Sequence, residues 1–197
     1  MTKDQYHHGD LRTALLDAAE DALNSDPSQS PSIRSLAAKL GVSATAPHAH
    51  FKTKTDLLVA LAERGFHKLR DATIVYGQRA DSPDSLLEVL AEAYIEFSVA
   101  NPGLYKVMFT TGVTLDDHPA LFEASRSSYA VTQKAIHEVY PEISIEERDR
   151  SALGAWSIVH GLSALLSEDR IPDDIVQDRS PKALARIAAE AVSRKAR

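Results

Sequence analysis

The sequence predicts an all-helical protein, with an N-terminal three-helix domain of the helix-turn-helix type followed by a larger helical bundle. Apolar residues recur every three or four positions along almost the whole chain, which places them on one face of an α-helix. Pro83, Pro102, Pro119 and Pro181 stand where proline suits the first turn of a helix. Because no segment alternates with a period of two beside a hairpin signal, no β-sheet is expected.

The composition is that of a globular protein without cross-links. The chain has 197 residues, of which 44% are hydrophobic and 25% are charged, and it has no cysteine. Disulfide scaffolds, cysteine-ligated zinc and thiol catalysis are therefore excluded. No apolar run resembles a signal peptide or approaches the ~20 residues of a membrane-spanning helix. We expect a cytoplasmic protein without a membrane partner.

Charge is distributed unevenly along the chain. The net charge is −6, but residues 1–70 carry nine Lys and Arg against eight Asp and Glu. Residues 27–55 contain no acidic residue at all. A local basic segment in an acidic protein suggests that this end meets a polyanion, although a chance fluctuation of composition would look the same.

Three short helices are predicted in the first domain, residues 1–53. Asp10 can cap the first helix, over residues 10–23, and Ser32 can cap the second. Gly41 is placed to end the second helix in the left-handed conformation.

The third helix is predicted to begin at Ser43 and to run to about His50. Pro47 lies at its fourth position, where it removes a backbone donor, so this helix must be brief or irregular. The second domain, residues 54–197, then begins with a long helix that Thr53 can cap. Its helices are predicted over residues 54–78, 83–100, 102–111, 119–140, 145–168 and 181–194.

Residues 32–51 have the pattern of a helix-turn-helix. Ala37 is small enough for a second helix to cross closely, Gly41 makes the turn, and Val42 fills the gap between the helices. The helix that follows can lie in the major groove of DNA with its N-terminal residues facing base edges. A tight helical hairpin in an ordinary bundle would show the same pattern, but the acid-free stretch over the same residues favours DNA.

Four separate pieces of the chain resemble the TetR family of transcriptional regulators in order and spacing, over about residues 6–70. They are Tyr6-His7-His8-Gly9-Asp10-Leu11-Arg12, Ser32-Ile33-Arg34-Ser35-Leu36-Ala37, Gly41-Val42-Ser43 and His50-Phe51-Lys52-Thr53-Lys54-Thr55-Asp56-Leu57-Leu58. Further along the chain, Trp156, His160 and Gly161 resemble a subgroup whose regulatory domain carries a Trp and a His-Gly pair.

The resemblance implies a homodimer with a DNA-binding domain and a larger domain for ligand sensing and dimerisation. It also implies a repressor that binds a palindromic operator and is released by a small-molecule effector. The chain departs from the family at the end of the recognition helix, where His48 stands in place of a Tyr that typically meets a phosphate. An imidazole can also donate to a phosphate, and it gains charge below pH ~6.5.

Placement on the helix-turn-helix selects the candidate DNA contacts. Ala44 and Thr45 open the recognition helix, and Thr45 offers base edges a hydroxyl and a methyl group. Ser32 offers hydrogen-bond donors to phosphate at a helix N-terminus. Phe51 is interpreted as core, because the recognition helix must anchor on the helix before it. The remaining candidates are Arg34, Lys39, Ser43, His48, His50, Lys52 and Lys54.

The middle of the chain concentrates large aromatic and soft side chains, which suits a ligand pocket between helices. Trp156 and His160 lie one helical turn apart, so both can reach one cavity, and we predict that a mostly apolar small molecule with one polar group binds there. A plain core with His160 hydrogen-bonded beside Trp156 is the alternative. The other candidate pocket residues are Tyr94, Phe97, Tyr105, Met108, Phe109, Phe122 and Tyr129.

Two apolar stripes near the C-terminus predict a four-helix dimer interface. Small side chains at Ser157, Gly161 and Ala164 would let another helix approach closely. The last helix would contribute Leu184, Ile187, Ala188 and Ala191. Helix periodicity alone allows both stripes to close a monomer core instead, and the resemblance favours the dimer.

Other classes of function have less support. The chain has no nucleophile elbow, glycine-rich phosphate loop or paired carboxylates on a clear scaffold, so neither an enzyme nor a cofactor is expected. His7-His8 and Asp116-Asp117-His118 lack the spacing or the third ligand of a metal site. An all-helical protein-interaction module without DNA binding is the alternative, and retention on DNA at moderate salt would separate the two.

Overall fold

The structure of the chain, a computed structural model, describes residues 11–26 and 31–193. These residues form eight α-helices and two short 3-10 helices without any β-strand, which confirms the all-helical prediction. The predicted cap Asp10 and the pair His7-His8 lie outside the described residues. Within the described ranges, no helix combines the length and the apolarity that crossing a bilayer requires.

The helices begin at or next to the residues that the capping and proline signals predict. Thr53 and Asp56 cap the longest helix reciprocally, because each backbone N–H donates to the other side chain. The bounds are α1 Leu11–Ser25, α2 Ile33–Lys39, α3 Lys54–Gly77, α4 Pro83–Ala100, α5 Pro102–Thr110, α6 Pro119–Val139, α7 Ile145–Ser167 and α8 Pro181–Ser193. A 3-10 turn at Leu115–Asp117, which was not predicted, precedes α6.

The predicted third helix is a 3-10 helix, Ala46–Ala49. An α-helix that begins at Ser43 would need an N–H at residue 47 to bond to the Ser43 carbonyl, and Pro47 has none. The helix begins later instead, with Pro47 buried at its second position. Ala44 and Thr45 therefore precede the recognition helix, and the prediction that they form its first turn is wrong. Ser43 still caps the segment, since its hydroxyl accepts from the backbone N–H of Ala46 at 3.2 Å.

The chain divides into two compact units, and the first joins Met1–Gly65 with Asn101–Phe122 as far as the structure describes them. Gly103 of α5 lies against α1 so closely that an added Cβ atom would overlap the backbone carbonyl of Leu23. The Asn24 side chain also accepts from the backbone N–H of Leu104 at 3.3 Å. Because these contacts join α5 to the N-terminal helices, this division differs from the predicted boundary after residue 53.

The second unit holds Phe66–Ala100 and Glu123–Arg197, again as far as they are described. In this unit α4 packs against α7 and α8, and α7 packs against α8. Its core is built from small and branched apolar side chains of α4, α6, α7 and α8. They include Leu87, Leu90, Ala135, Ile136, Ala152 and Val192.

Candidate functional site

The helix-turn-helix of the first unit has the local geometry that its sequence predicts. Gly41 has a φ of +68°, the left-handed conformation that ends α2. Ala37 is buried, and its carbonyl accepts from the backbone N–H of Val42 at 3.0 Å, which closes the turn. At the other end of α2, Ser32 and Ser35 form a reciprocal capping box.

Nearly all predicted DNA contacts are exposed around this motif. His50 is half-buried, whereas Ser32, Arg34, Lys39, Ser43, Ala44, Thr45, His48, Lys52 and Lys54 are exposed. The Ser43 hydroxyl lies 3.2 Å from that of Thr45, so both point from the same turn. Phe51 is 2% exposed, which confirms its interpretation as core.

The cations of this surface differ in their partners. Lys39 lies 3.9 Å from Asp21, where both side chains are exposed and the attraction is weak. In the described part of the chain, no acidic side chain pairs with Arg34, Lys52 or Lys54. These three charges are therefore available to a polyanion.

Arg12 is a cation of this surface that the sequence-based choice of DNA contacts missed. Its guanidinium lies 5.6 Å from the centre of the Phe51 ring, next to the segment that carries Lys52 and Lys54. A cation–π contact of this kind holds the charge in place without neutralising it. Only the tertiary contact between α1 and residue 51 reveals this, because Arg12 is far from the acid-free stretch in sequence.

The second unit contains a cavity of about 650 Å³ between α3, α4, α6, α7 and α8, within the size range of small-molecule sites. Its apolar lining comes from α3, α4, α7 and α8. It includes Phe66, Leu69, Leu87, Leu90, Ala91, Leu153, Ala155, Val159, Ala188, Ala189 and Val192. Tyr94, Tyr129 and Trp156 add three aromatic side chains, all of them predicted pocket residues.

The other predicted pocket residues do not line this cavity. Tyr105, Met108, Phe109 and Phe122 belong to the first unit, where Tyr105 and Phe109 stack edge to face at 5.1 Å. Met108 packs against Gly65, and Phe122 is exposed. Phe97 is buried in the second unit away from the cavity lining. Their placement in a pocket is corrected on these grounds, because an aromatic side chain with helical spacing can equally face a different neighbour.

His160, a predicted pocket residue, is not among the residues that line the cavity. The Trp156 indole Nε1–H donates to the Tyr94 hydroxyl at 3.3 Å, and the Tyr94 hydroxyl lies 3.1 Å from Nδ1 of His160. Burial lowers the pKa of His160 below its usual 6.5, which favours the neutral ring. The Nδ1 atom of a neutral ring can accept a hydrogen bond from the Tyr94 hydroxyl. A single chain of hydrogen bonds therefore runs from Trp156 to His160.

A family model described as the tetracyclin repressor-like C-terminal domain matches residues 87–192, more than half of the chain. The chain belongs to the TetR family. This confirms the family that the N-terminal pieces resemble, and members of that family are transcriptional regulators rather than enzymes. The subgroup suggested by Trp156, His160 and Gly161 stays a prediction.

The relatives of this chain include named regulators and a protein of unknown function. The chain is 25% identical over 173 residues to YobS, an uncharacterized HTH-type transcriptional regulator of Bacillus subtilis (strain 168), and the match covers 84% of this chain and 85% of YobS. A solved protein of unknown function from Rhodococcus sp. RHA1 is 29% identical and similar with a TM-score of 0.81 over 98% of both chains. A regulatory protein in the tetR family from Rhodococcus RHA1, 20% identical, has the same fold with a TM-score of 0.67 over 93% of this chain and 95% of that one.

The predicted dimer residues of this TetR-family chain fall into two groups. Leu184 and Ala188 are 0% and 2% exposed inside the second unit, so their assignment to an interface is wrong. They belong to the buried face of α8, and Ala188 also lines the cavity. Ser157 and Ile187 are exposed, and Gly161, Ala164 and Ala191 are half-buried.

On α7 the exposed residues continue as an apolar stripe. Leu153 and Leu165 are 53% and 46% exposed and lie on the face that carries Ser157 and Gly161. A Cβ atom added at Gly161 would meet no atom within 4 Å. This TetR-family chain therefore presents an uncovered small-residue surface with large apolar side chains at both ends.

The sequence did not reveal the polar part of the cavity in this TetR-family chain. Ser125, Ser128, Thr132 and Gln133 of α6 are half-buried in its wall, and the charged residues Arg126, Glu146, Asp149 and Arg150 are exposed in it. Arg150 pairs with Glu146 at 2.6 Å, and the Gln133 amide donates to Asp149 at 2.9 Å. Burial, with Asp149 nearby, raises the pKa of Tyr129, whose hydroxyl stays protonated at neutral pH. A polar stripe on α6 was the only available signal, and it also fits a solvent-exposed helix face.

Proposed function

We propose that this chain is a ligand-responsive repressor that binds a palindromic DNA operator as a homodimer in the cytoplasm. The observation that carries the proposal is the exposed, acid-free surface of the helix-turn-helix. Arg34, Lys52 and Lys54 lie there without acidic partners in the described part of the chain, next to the short recognition helix. A phosphate backbone needs cations of this kind, and base edges need the small polar side chains of the turn before that helix.

The second unit supplies the other parts of the proposal. Its cavity has the volume and the apolar wall of a small-molecule site, so an effector can bind there. The uncovered stripe of α7 suits a second copy of the same chain, because small residues let two helices approach closely. Two recognition helices related by a two-fold axis read a palindrome.

Selection of binding sites from random duplex DNA tests the proposal. The full-length protein is incubated with the random pool at moderate salt, and the retained duplexes are sequenced. We expect two inverted half-sites with one preferred spacing. Retention without sequence preference would contradict operator recognition, and no retention at all would favour the interaction-module alternative. A reporter gene behind the selected site then decides repression, since expression should fall when the protein is present.

A further inference from the structure

Three hydroxyl groups in the cavity wall have no protein partner in the part of the chain that the structure describes. They belong to Ser125, Ser128 and Thr132 of α6, all half-buried and all lining the cavity. A hydroxyl carries one donor and two acceptor positions. These groups can therefore bond to a molecule inside the cavity.

Two other helical hydroxyls in this protein satisfy themselves locally, whereas that of Ser163 on α7 is buried without a partner in the described part of the chain. Ser127 donates to the carbonyl of Ala124 at 2.9 Å, and Ser157 donates to that of Leu153 at 2.7 Å. Bonds of this kind to the preceding turn are the usual solution for Ser and Thr inside a helix. Ser127 lies on α6 directly beside Ser128, so the same helix shows both behaviours, and on α6 the hydroxyls without partners are the ones in the cavity wall.

The three hydroxyls form a ladder along one helix face. Residues 125, 128 and 132 are three and four positions apart, so the rise of an α-helix separates them by about 4.5 and 6 Å along its axis. The lining from α3, α4 and α8 is apolar apart from Thr73 and Tyr94. The Thr73 hydroxyl bonds to the carbonyl of Leu69 at 2.6 Å, and the Tyr94 hydroxyl bonds to Trp156. The cavity is therefore polar along α6 and apolar along these three helices.

Charge is confined to the exposed part of the lining. Arg126, Glu146, Asp149 and Arg150 are all exposed, and they comprise two cations and two anions. The half-buried and buried lining residues are uncharged. An ionised group placed among them would lose its hydration without meeting an opposite charge. The buried part of a ligand is expected to be uncharged for this reason.

We infer that the effector is an uncharged, facially amphipathic molecule. One side of it is hydrocarbon, and the other carries two or three hydroxyl or carbonyl oxygens spaced by about 4.5 to 6 Å, matching the rise between the ladder residues. Its oxygens bond to the Ser125, Ser128 and Thr132 hydroxyls, and its hydrocarbon side lies on the apolar wall. The inference rests on the proposed effector-sensing function and defines the chemistry of that site.

The test uses two epimers as probes, methyl chenodeoxycholate and methyl ursodeoxycholate, which differ only in the orientation of one hydroxyl group. Both hydroxyls of the first lie on one face, and those of the second lie on opposite faces. Trp156 is the only tryptophan of the sequence and lines the cavity, so its fluorescence reports binding. We expect the first epimer to bind about tenfold more tightly, since one additional neutral hydrogen bond changes affinity by about this factor.

Matched variants connect this preference to the ladder. Ser128→Ala and Thr132→Val each remove one hydroxyl and should reduce the ratio between the epimers about fivefold. Ser127→Ala removes a hydroxyl that is bonded to its own helix and should leave the ratio unchanged. Circular dichroism checks that each variant keeps its helices, and the comparison of the epimers on the unaltered protein does not depend on any variant.

The neutral apolar dye Nile red separates failure of this inference from failure of the sensing function. Binding of the dye together with equal affinity for the two epimers would overturn the inference and leave a cavity that accepts effectors. A ratio that survives both Ser128→Ala and Thr132→Val would overturn it as well. If neither the dye nor the epimers alter the Trp156 emission, the cavity is not an effector site, and the inference falls with the sensing function.

Discussion

The indole Nε1–H of Trp156 donates to the hydroxyl of Tyr94 at 3.3 Å, which joins α7 to α4 at the wall of the cavity. The same hydroxyl lies 3.1 Å from Nδ1 of His160. Tyr94 is buried, so its hydroxyl has exchanged water for these two partners. Removing the Tyr94 hydroxyl should therefore destabilise the folded protein.

Tyr94→Phe is expected to lower the free energy of unfolding by about 1 to 3 kcal/mol, because two part-buried hydrogen bonds are lost together. Urea denaturation followed by circular dichroism measures this change. Tyr140→Phe is the matched control, since the half-buried Tyr140 side chain makes no hydrogen bond in the described part of the chain. Equal losses in the two variants would show that the Tyr94 hydroxyl contributes nothing particular.

The free energy of unfolding should decrease as the pH is lowered, because of His160. Burial lowers its pKa in the folded protein below 6.5, so below about this pH the unfolded chain binds more protons than the folded one. The stabilisation is present above the pKa of the unfolded state and is lost as pH falls towards the folded value. Urea midpoints measured from pH 7.5 to 5 should decline, and less so in His160→Gln. The exposed His137, changed to Gln, serves as the control, and an identical decline in both variants would exclude His160 as the cause.

Gly103→Ala should destabilise the first unit by about 1 to 3 kcal/mol, since the new methyl group overlaps the backbone of Leu23, which cannot rotate away as a side chain can. Thermal unfolding measures the effect. Gly154→Ala provides the contrast, because a Cβ atom there meets nothing within 4 Å and alanine favours a helix. A Gly103 variant as stable as the Gly154 variant would contradict the close approach of α1 and α5.

Two substitutions distinguish phosphate contacts from base contacts on the DNA-binding surface. Lys54→Ala should weaken the binding of all duplexes to a similar extent, because it removes one phosphate contact. The salt dependence of binding should decrease by about one released counterion. Thr45→Ala should instead relax the preference at one base pair, by about 1 kcal/mol or more. Fluorescence anisotropy at several salt concentrations on the selected site measures both. The same sequence-independent loss in the two variants would show that Thr45 does not face a base.

Gly161→Arg should convert the proposed dimer into a folded monomer. The surface at Gly161 is open, so the arginine fits on one chain but obstructs the approach of a second. Ala130→Arg places the same side chain on an exposed position of α6 and should leave the dimer intact. Light scattering at micromolar concentration measures the mass of both variants. A Gly161 variant that stays dimeric would place the interface elsewhere.

Local signals predicted the helices well because each depends on a few neighbouring residues. The capping boxes at Ser32 and Thr53, the prolines at first turns and the positive φ of Gly41 all follow from backbone hydrogen bonding within one turn. The irregular third helix follows from Pro47 in the same way.

The cavity was predicted less completely, for a reason that Met108 and Trp156 illustrate. Both are large side chains with helical spacing, yet Met108 packs on Gly65 in the first unit and Trp156 lines the cavity of the second. Periodicity shows that a side chain points inward, but not which helix it meets there. The same limit applies to Leu184, whose apolar stripe turned out to be core rather than interface.

By itself, the sequence determined the all-helical class, the order of the α-helices with most of their ends, and the helix-turn-helix with its acid-free surface. These properties depend on short spacings and on local hydrogen bonds, which every segment carries with it. Only the tertiary structure decided which aromatic residues share a cavity, which hydroxyls face it without a partner, and that Arg12 lies on Phe51. Such relationships join residues that are far apart in sequence, so they exist only once the helices have packed against one another.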